Sequence, residues 1–178
     1  MFENMLDHSN IHIETGVDFV AHRRELEHAG DQLVYSGKID EYFDYRYGEL
    51  EYRSLRFETM RLSGDFQGAS IVNYSAIDVP YTRIVEHKHF TFQDCDHTIV
   101  TYEYPQPYTT GSEAFYPIRD TTNTQRYLRY QLLAKDSSAI IGGRLGSYQY
   151  MDMHQVVGQA LATARRALGT NGDLRRAA

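Results

Sequence analysis

Ile140-Ile141-Gly142-Gly143-Arg144-Leu145-Gly146-Ser147-Tyr148-Gln149-Tyr150-Met151-Asp152-Met153-His154-Gln155 is the stretch whose reading decides the fold. The apolar run from Ser138 to Ile141 reads as a short buried strand, the glycines as a tight turn, and Met151 to Leu168 as an amphipathic helix. A strand that empties through a glycine turn into a helix N-terminus can cradle an anion, because the backbone approaches closely and the first helical turn has unpaired N–H donors. A plain connection needing positive φ has the same Gly-Gly-x-x-Gly spacing, so the turn alone leaves both readings open. Asp152, followed by Gln155, is placed to close a capping box at the helix start.

Working outward, Asn123 to Ala134 precedes this strand as another helix, and a proline-punctuated loop with Pro105, Pro107, Gly111 and Pro117 comes before that. Strand signals dominate from Leu50 to Tyr104: Glu51 to Leu62, Ala69 to Tyr74, Thr82 to Phe92 and His97 to Tyr104. Turn residues separate them, which predicts an antiparallel sheet. Upstream, Phe2, Met5 and Leu6 share a helical face within Met1 to His8. Ile11 to Thr15 and Gln32 to Gly37 read as strands, and Asp40 to Gly48 as a short helix and loop. The tail from Gly169 is expected to fray. Short buried strands belong in sheets with several parallel neighbours, which this sequence does not supply for Ser138 to Ile141. The expectation is a C-terminal piece of a larger two-domain protein.

Composition narrows the function. The 178 residues carry 18 basic and 24 acidic side chains, a net charge of −6, which argues against nonspecific nucleic-acid binding. Cys95 is the sole cysteine, so neither a disulfide framework nor a thiol metal cluster forms within the chain, and a cytoplasmic location is expected. No apolar run reaches the roughly 20 residues of a membrane helix, so no membrane insertion is expected. Fifteen tyrosines and no tryptophan suit walls that contact sugars, bases or phosphates, and equally suit the filling of two-sided sheets.

Several blocks resemble the UDP-galactopyranose mutase family: Ile39 to Leu55, Val72-Asn73-Tyr74, Val79 to Phe90, Phe115-Tyr116-Pro117 and Gly142 to Gln155. The similarity runs in unbroken order from Met1 to about Leu168. It implies an α+β chain in which a central antiparallel sheet (49–120) is the substrate-binding region. Residues 1–48 and 121–168 would complete an FAD-binding Rossmann-like domain, with 169–178 as a flexible tail. The resemblance further implies interconversion of UDP-galactopyranose and UDP-galactofuranose through an N5–sugar adduct of reduced FAD. This is covalent catalysis by a cofactor that the protein places and charges. The family's glycine-rich FAD motif and the arginine of its substrate lid have no counterpart in this sequence, so the FAD site is incomplete. The chain alone is therefore expected to be inactive, with an exposed strand edge prone to aggregate. A noncatalytic UDP-sugar-binding module and one half of a split enzyme are the alternatives, with a homodimer or a missing N-terminal half as the protein partner.

By that resemblance Arg83 contacts the UDP diphosphate beside the flavin, as a forked and permanently charged donor should. The residues alone equally allow a surface arginine paired with Glu86. Tyr116 and Tyr150 would donate hydroxyls to the same diphosphate, and Asn73 would sit near the sugar. Asp152 would line the active site beside its capping role. Gly142, Gly143, Arg144, Gly146, Tyr150, Asp152 and Met153 would bind FAD. Arg83 and Asp152 are the expected catalytic pair. The run Glu86-His87-Lys88-His89 puts two histidines on one face of a strand, but two ligands do not close a metal site and no metal is expected.

Overall fold

The computed structural model describes residues 2–109 and 111–169. In chain order its elements are helices α1 (Phe2–Leu6) and α2 (Arg23–Leu26), strand β1 (Val34–Tyr35), helix α3 (Ile39–Tyr42), strands β2 (Tyr52–Ser63), β3 (Ile71–Asn73) and β4 (Arg83–Glu86), helix α4 (Lys88–Thr91), strands β5 (His97–Pro107) and β6 (Tyr116–Pro117), helix α5 (Thr121–Lys135), strand β7 (Ile140–Ile141), and helices α6 (Gly143–Gly146) and α7 (Met153–Ala167). The chain is α+β. Five antiparallel strands run in the order β3-β4-β5-β2-β6, and β1 pairs with β7 in a separate parallel sheet of two strands.

The long β2–β5 ladder is unbroken from Arg53 opposite Pro107 to Ser63 opposite His97. That strand runs past the expected end at Tyr104, through two prolines the sequence reading assigned to a loop. Their tolerance has a physical cause. The Glu103 carbonyl accepts from Thr82 N on the β4 side, so Pro105 and Pro107 turn their missing N–H to that same side, beyond β4, whose ladder with β5 ends at Arg83–Glu103.

Between the two sheets lies a core rich in tyrosine: Ile39, Leu50, Tyr52, Tyr127, Tyr130 and Tyr148. The Tyr130 hydroxyl donates to the Gly48 carbonyl (2.8 Å) and accepts from Tyr47 N (2.9 Å), while Tyr148 Oη contacts the carbonyls of Glu51 (2.6 Å) and Ile118 (2.8 Å). These hydroxyls satisfy turn backbone that burial strips of water, so this part of the tyrosine excess is structural. Helix α5 starts where Asp120 caps it, the carboxylate accepting from Asn123 N at 2.7 Å.

Several expectations need correction. The strand expected at Ser138–Ile141 is shorter and half-buried, and it does have a partner: Val34 and Tyr35 pair with Ile140 and Ile141. Ile11 to Thr15 form no strand, because no ladder receives them, and Ile11 and Ile13 stay exposed. Thr82 to Phe92 is not one strand. It stops at Glu86, His87 takes the N-cap position of α4 without a side-chain capping bond, and Phe92 closes that helix in the left-handed region at φ 52°. His87 and His89 therefore do not share a strand face. Short elements β6 and α6 lie where the sequence reads as loop or turn, and α2 lies in a stretch to which the sequence reading assigns no element. The expected fraying lies outside the described residues beyond Gly169. Among the described residues, no helix is long and apolar enough to cross a membrane.

Candidate functional site

Strand register assembles the site. Asn73, Arg83, Glu103 and Phe57 stand opposite one another across β3, β4, β5 and β2. Paired residues of an antiparallel sheet share a face, so these four form one row. Tyr116 pairs with Arg53, which lies on the Phe57 face of β2, so Tyr116 projects from that face too.

Within the row, Arg83 Nε donates to Asn73 Oδ1 at 2.9 Å, and Arg83 Nη1 lies 3.6 Å from Glu103 Oε2. Asn73 thereby acts as an orienting acceptor for the guanidinium. The Glu86 pairing that the sequence left open is excluded: Glu86 projects from the opposite face of β4, is fully buried, and accepts from Phe66 N and Gln67 N. The Arg83 side chain remains 39% exposed, which leaves N–H donors turned to solvent on the open face.

The second cluster sits at the β6 edge. Tyr116 and Tyr150 stack with centroids 5.6 Å apart and planes at 27°. The Arg144 guanidinium lies 5.0 Å from the Tyr150 ring centroid, and its Nη2 donates to the Phe115 carbonyl at 2.9 Å. Phe115 in turn meets Phe57 edge-on at 5.7 Å, which joins the tyrosine pair to the Arg83 row. Tyr150 reaches this position because Tyr148, held in the left-handed region at φ 47°, buries its ring and anchors its hydroxyl on the Glu51 and Ile118 carbonyls, just before β2 and just after β6.

The glycine turn is committed elsewhere. Gly142 is extended (φ −150°) and its N–H donates to the Tyr35 carbonyl, while the Gly143 N–H donates to Gln159 Oε1 at 3.1 Å. Gly143 alone of the three has positive φ, at 72°. A Cβ on Gly146 would meet Ile141 Cγ2 at 3.0 Å, so this glycine serves close packing. The helix that follows the turn directly is the four-residue α6, and the long helix α7 begins only after Asp152. There the expected capping box is present, with Gln155 Oε1 accepting from the Asp152 N–H at 2.8 Å. Asp152 and Met153 lie at this exposed helix start, just past Tyr150.

Sequence reasoning missed Glu103, Phe57, Phe115 and Tyr148. A signal existed for one of them: Glu103 is the lone charge within Thr98–Tyr104, an otherwise apolar or neutral strand. The aromatic contacts depend on a register that no local pattern reveals.

Comparison with known proteins bears on this geometry. The family model described as UDP-galactopyranose mutase matches residues 1–150. The chain belongs to the UDP-galactopyranose mutase family. A protein named probable UDP-galactopyranose mutase from Klebsiella pneumoniae is 40% identical over 172 residues, covering 96% of this chain and 44% of that protein. A dTDP-fucopyranose mutase from Escherichia coli is 32% identical over 179 residues, covering 97% and 48%. The UDP-galactopyranose mutase of Mycoplasma pneumoniae is 37% identical over 144 residues, covering 76% and 36%. The chain thus spans less than half the length of these curated relatives. Within the family match lie Asn73, Arg83, Glu103, Tyr116, Arg144 and Tyr150; Asp152 and Met153 fall just beyond it.

Proposed function

We infer that this chain supplies the diphosphate-binding and sugar-facing part of a flavin-dependent mutase that interconverts UDP-galactopyranose and UDP-galactofuranose. The observation that carries the reading is the shared sheet face: Arg83 clamped between Asn73 and Glu103, with Tyr116 and Tyr150 stacked beside Arg144. A guanidinium fixed at Nε and Nη1 keeps its remaining donors in a plane that suits two phosphate oxygens. The tyrosine hydroxyls add neutral donors, so charge that builds on the diphosphate as the sugar bond breaks meets a preorganised set. Asn73 has an amide N–H to offer a sugar hydroxyl while its oxygen holds Arg83. Arg83 and Asp152 are the residues proposed to act on the reacting groups.

The donor set fits flavin nucleotide in part. Arg144 and the N-terminus of α7, with Asp152 and Met153, would contact its anionic or ring portions. The Gly142 and Gly143 amides would not, because β1 and Gln159 already hold them. Bound in its reduced form, FAD would supply the nucleophile toward the anomeric carbon. This chain's residues hold the nucleotide, keep Arg83 oriented and shield the sugar beneath the tyrosine pair. The E. coli relative's name widens the substrate class to another nucleoside diphosphate hexose. The row contacts proposed here address the diphosphate common to both.

A second observation concerns completeness. Parallel strands normally lie within wider sheets covered on both faces, yet Val34 of β1 is 63% exposed. Between β1–β7 and α7 runs an apolar groove of about 270 Å³ lined by Val34, Ile140, Val156 and Ala160. This favours completion by a further flavin-binding portion over a stand-alone binding module. The test is turnover of UDP-galactofuranose with FAD and dithionite, with and without the N-terminal remainder of the Klebsiella relative added as a separate chain. Turnover only in the mixture supports the reading. A mixture that stays inactive while the intact relative works would overturn it.

A further inference from the structure

We propose that Asp65, Glu86 and His89 form a divalent transition-metal site, of the kind zinc occupies, on the side of the sheet away from the Arg83 row. The three residues come from separate segments: the turn after β2, the end of β4, and α4. Their donor atoms all lie within 4.8 Å of one another. His89 Nε2 lies 3.1 Å from Asp65 Oδ2 and 3.4 Å from Glu86 Oε2. Donors about 2.0–2.1 Å from a tetrahedral zinc ion stand about 3.3–3.4 Å apart, so the His89–Glu86 edge already has the required length and the His89–Asp65 edge needs to open by only about 0.2 Å.

Two further observations point to a ligand. His89 Nε2 is shut off from solvent and makes no directional hydrogen bond with either carboxylate, although both are near. Glu86 is fully buried and held rigid by Phe66 N (3.0 Å) and Gln67 N (2.8 Å), a carboxylate oriented before any ion arrives. Asp65 is half exposed and accepts from Gly68 N at 2.8 Å, which leaves a path for an ion and its water. One nitrogen and two carboxylates make a donor set for zinc or a similar ion rather than calcium, which takes six to eight oxygens.

Lys88 is the competitor. Its Nζ donates to the Gly64 carbonyl at 2.7 Å and lies 3.5 Å from Asp65 Oδ2. Metal binding must displace that contact, so removing the ammonium should strengthen it. The bound ion would staple the turn at residues 64–70 to β4 and α4.

The experiment is titration of the EDTA-treated 178-residue chain with ZnCl2, read by calorimetry and thermal unfolding. The expected result is one ion per chain and a Tm rise of about 5–10 °C at free zinc roughly 100 times Kd. H89Q and D65N should lose the response, and K88Q should bind more tightly. Hydrogen exchange at residues 64–70 should slow with zinc in the parent chain and in K88Q but not in H89Q or D65N, a readout that separates a lost ligand from a poorly folded variant. No heat and no Tm shift would overturn the proposal. An unchanged response in H89Q would also do so, since the ion would then sit elsewhere.

Discussion

Tyr116 and Tyr150 stack with ring centroids 5.6 Å apart, although one belongs to a sheet-edge strand and the other to the loop before the last helix. The contact joins the antiparallel sheet to the segment that returns to β1 and β7. Arg144 braces it from one side, and Phe115 hands it on to Phe57. A ligand on this face would therefore touch two structural units at once, and each tyrosine should matter through its position as much as its hydroxyl.

Arg83 is the residue on which ligand binding should depend most. R83K keeps a charge but cannot hold Asn73 and Glu103 while presenting a fork to phosphate. Losing one charge-assisted pair, worth about 1.5–3 kcal/mol, predicts roughly 10- to 100-fold weaker UDP binding by calorimetry. Stability should change by less than about 0.5 kcal/mol, because the ion pair is partly exposed. A large loss of Tm with unchanged affinity would show that the arginine is structural.

Tyr148 should behave in the opposite way. Y148F removes the hydroxyl from the Ile118 carbonyl and leaves the Glu51 carbonyl only the Ile118 N–H, a cost of about 1–3 kcal/mol in urea unfolding. Tyr150 would then lose its anchor, so UDP affinity should fall with stability. Affinity retained in a folded Y148F would separate the two.

The glycine turn offers a matched pair. Gly143 has φ 72°, and a Cβ there would lie 3.2 Å from Ser36 Cβ, so G143A should cost at least about 1–2 kcal/mol. Gly142 is extended with nothing within 4 Å, so G142A should be tolerated within about 0.5 kcal/mol. Equal effects in thermal unfolding would contradict this account of the turn.

Asp40 makes the chain sensitive to pH. Burial raises its pKa above the ordinary 3.8, while the Leu50 N–H and nearby Lys38 oppose the rise without cancelling it. A raised folded-state pKa favours the protonated form, so its contribution to stability is present in full below about 3.8 and is lost as pH climbs through the folded value. D40N should remove that part of the slope in a pH series of urea midpoints. An identical slope in both proteins would place the cause elsewhere.

How much was legible in the sequence follows from what each element rests on. Helix α7 was readable because Asp152 and Gln155 form a local cap beside an apolar repeat, whereas α5 was read from Asn123, short of its Asp120 cap. The long hairpin strands were readable from alternation, but their length was not: whether Pro105 and Pro107 can sit in a strand depends on which edge is empty, a tertiary fact. Arg83, Asn73 and Tyr116 were reached through family resemblance, since nothing local tells a guanidinium for phosphate from one for Glu86. Glu103 became a partner of Arg83 only once the β4–β5 register was known. The glycine turn misled because its spacing fits a phosphate cradle, whereas two of its amides are held by β1 and Gln159.

The central claim is that the face carrying Arg83, Asn73, Tyr116 and Tyr150 binds a nucleoside diphosphate. The most direct measurement is a calorimetric titration of the chain with UDP, repeated with R83A and Y116F. The account predicts saturable one-to-one binding that R83A abolishes and Y116F weakens, with both variants still folded by circular dichroism. UDP binding of equal strength in all three proteins, or none in the parent chain, would contradict it.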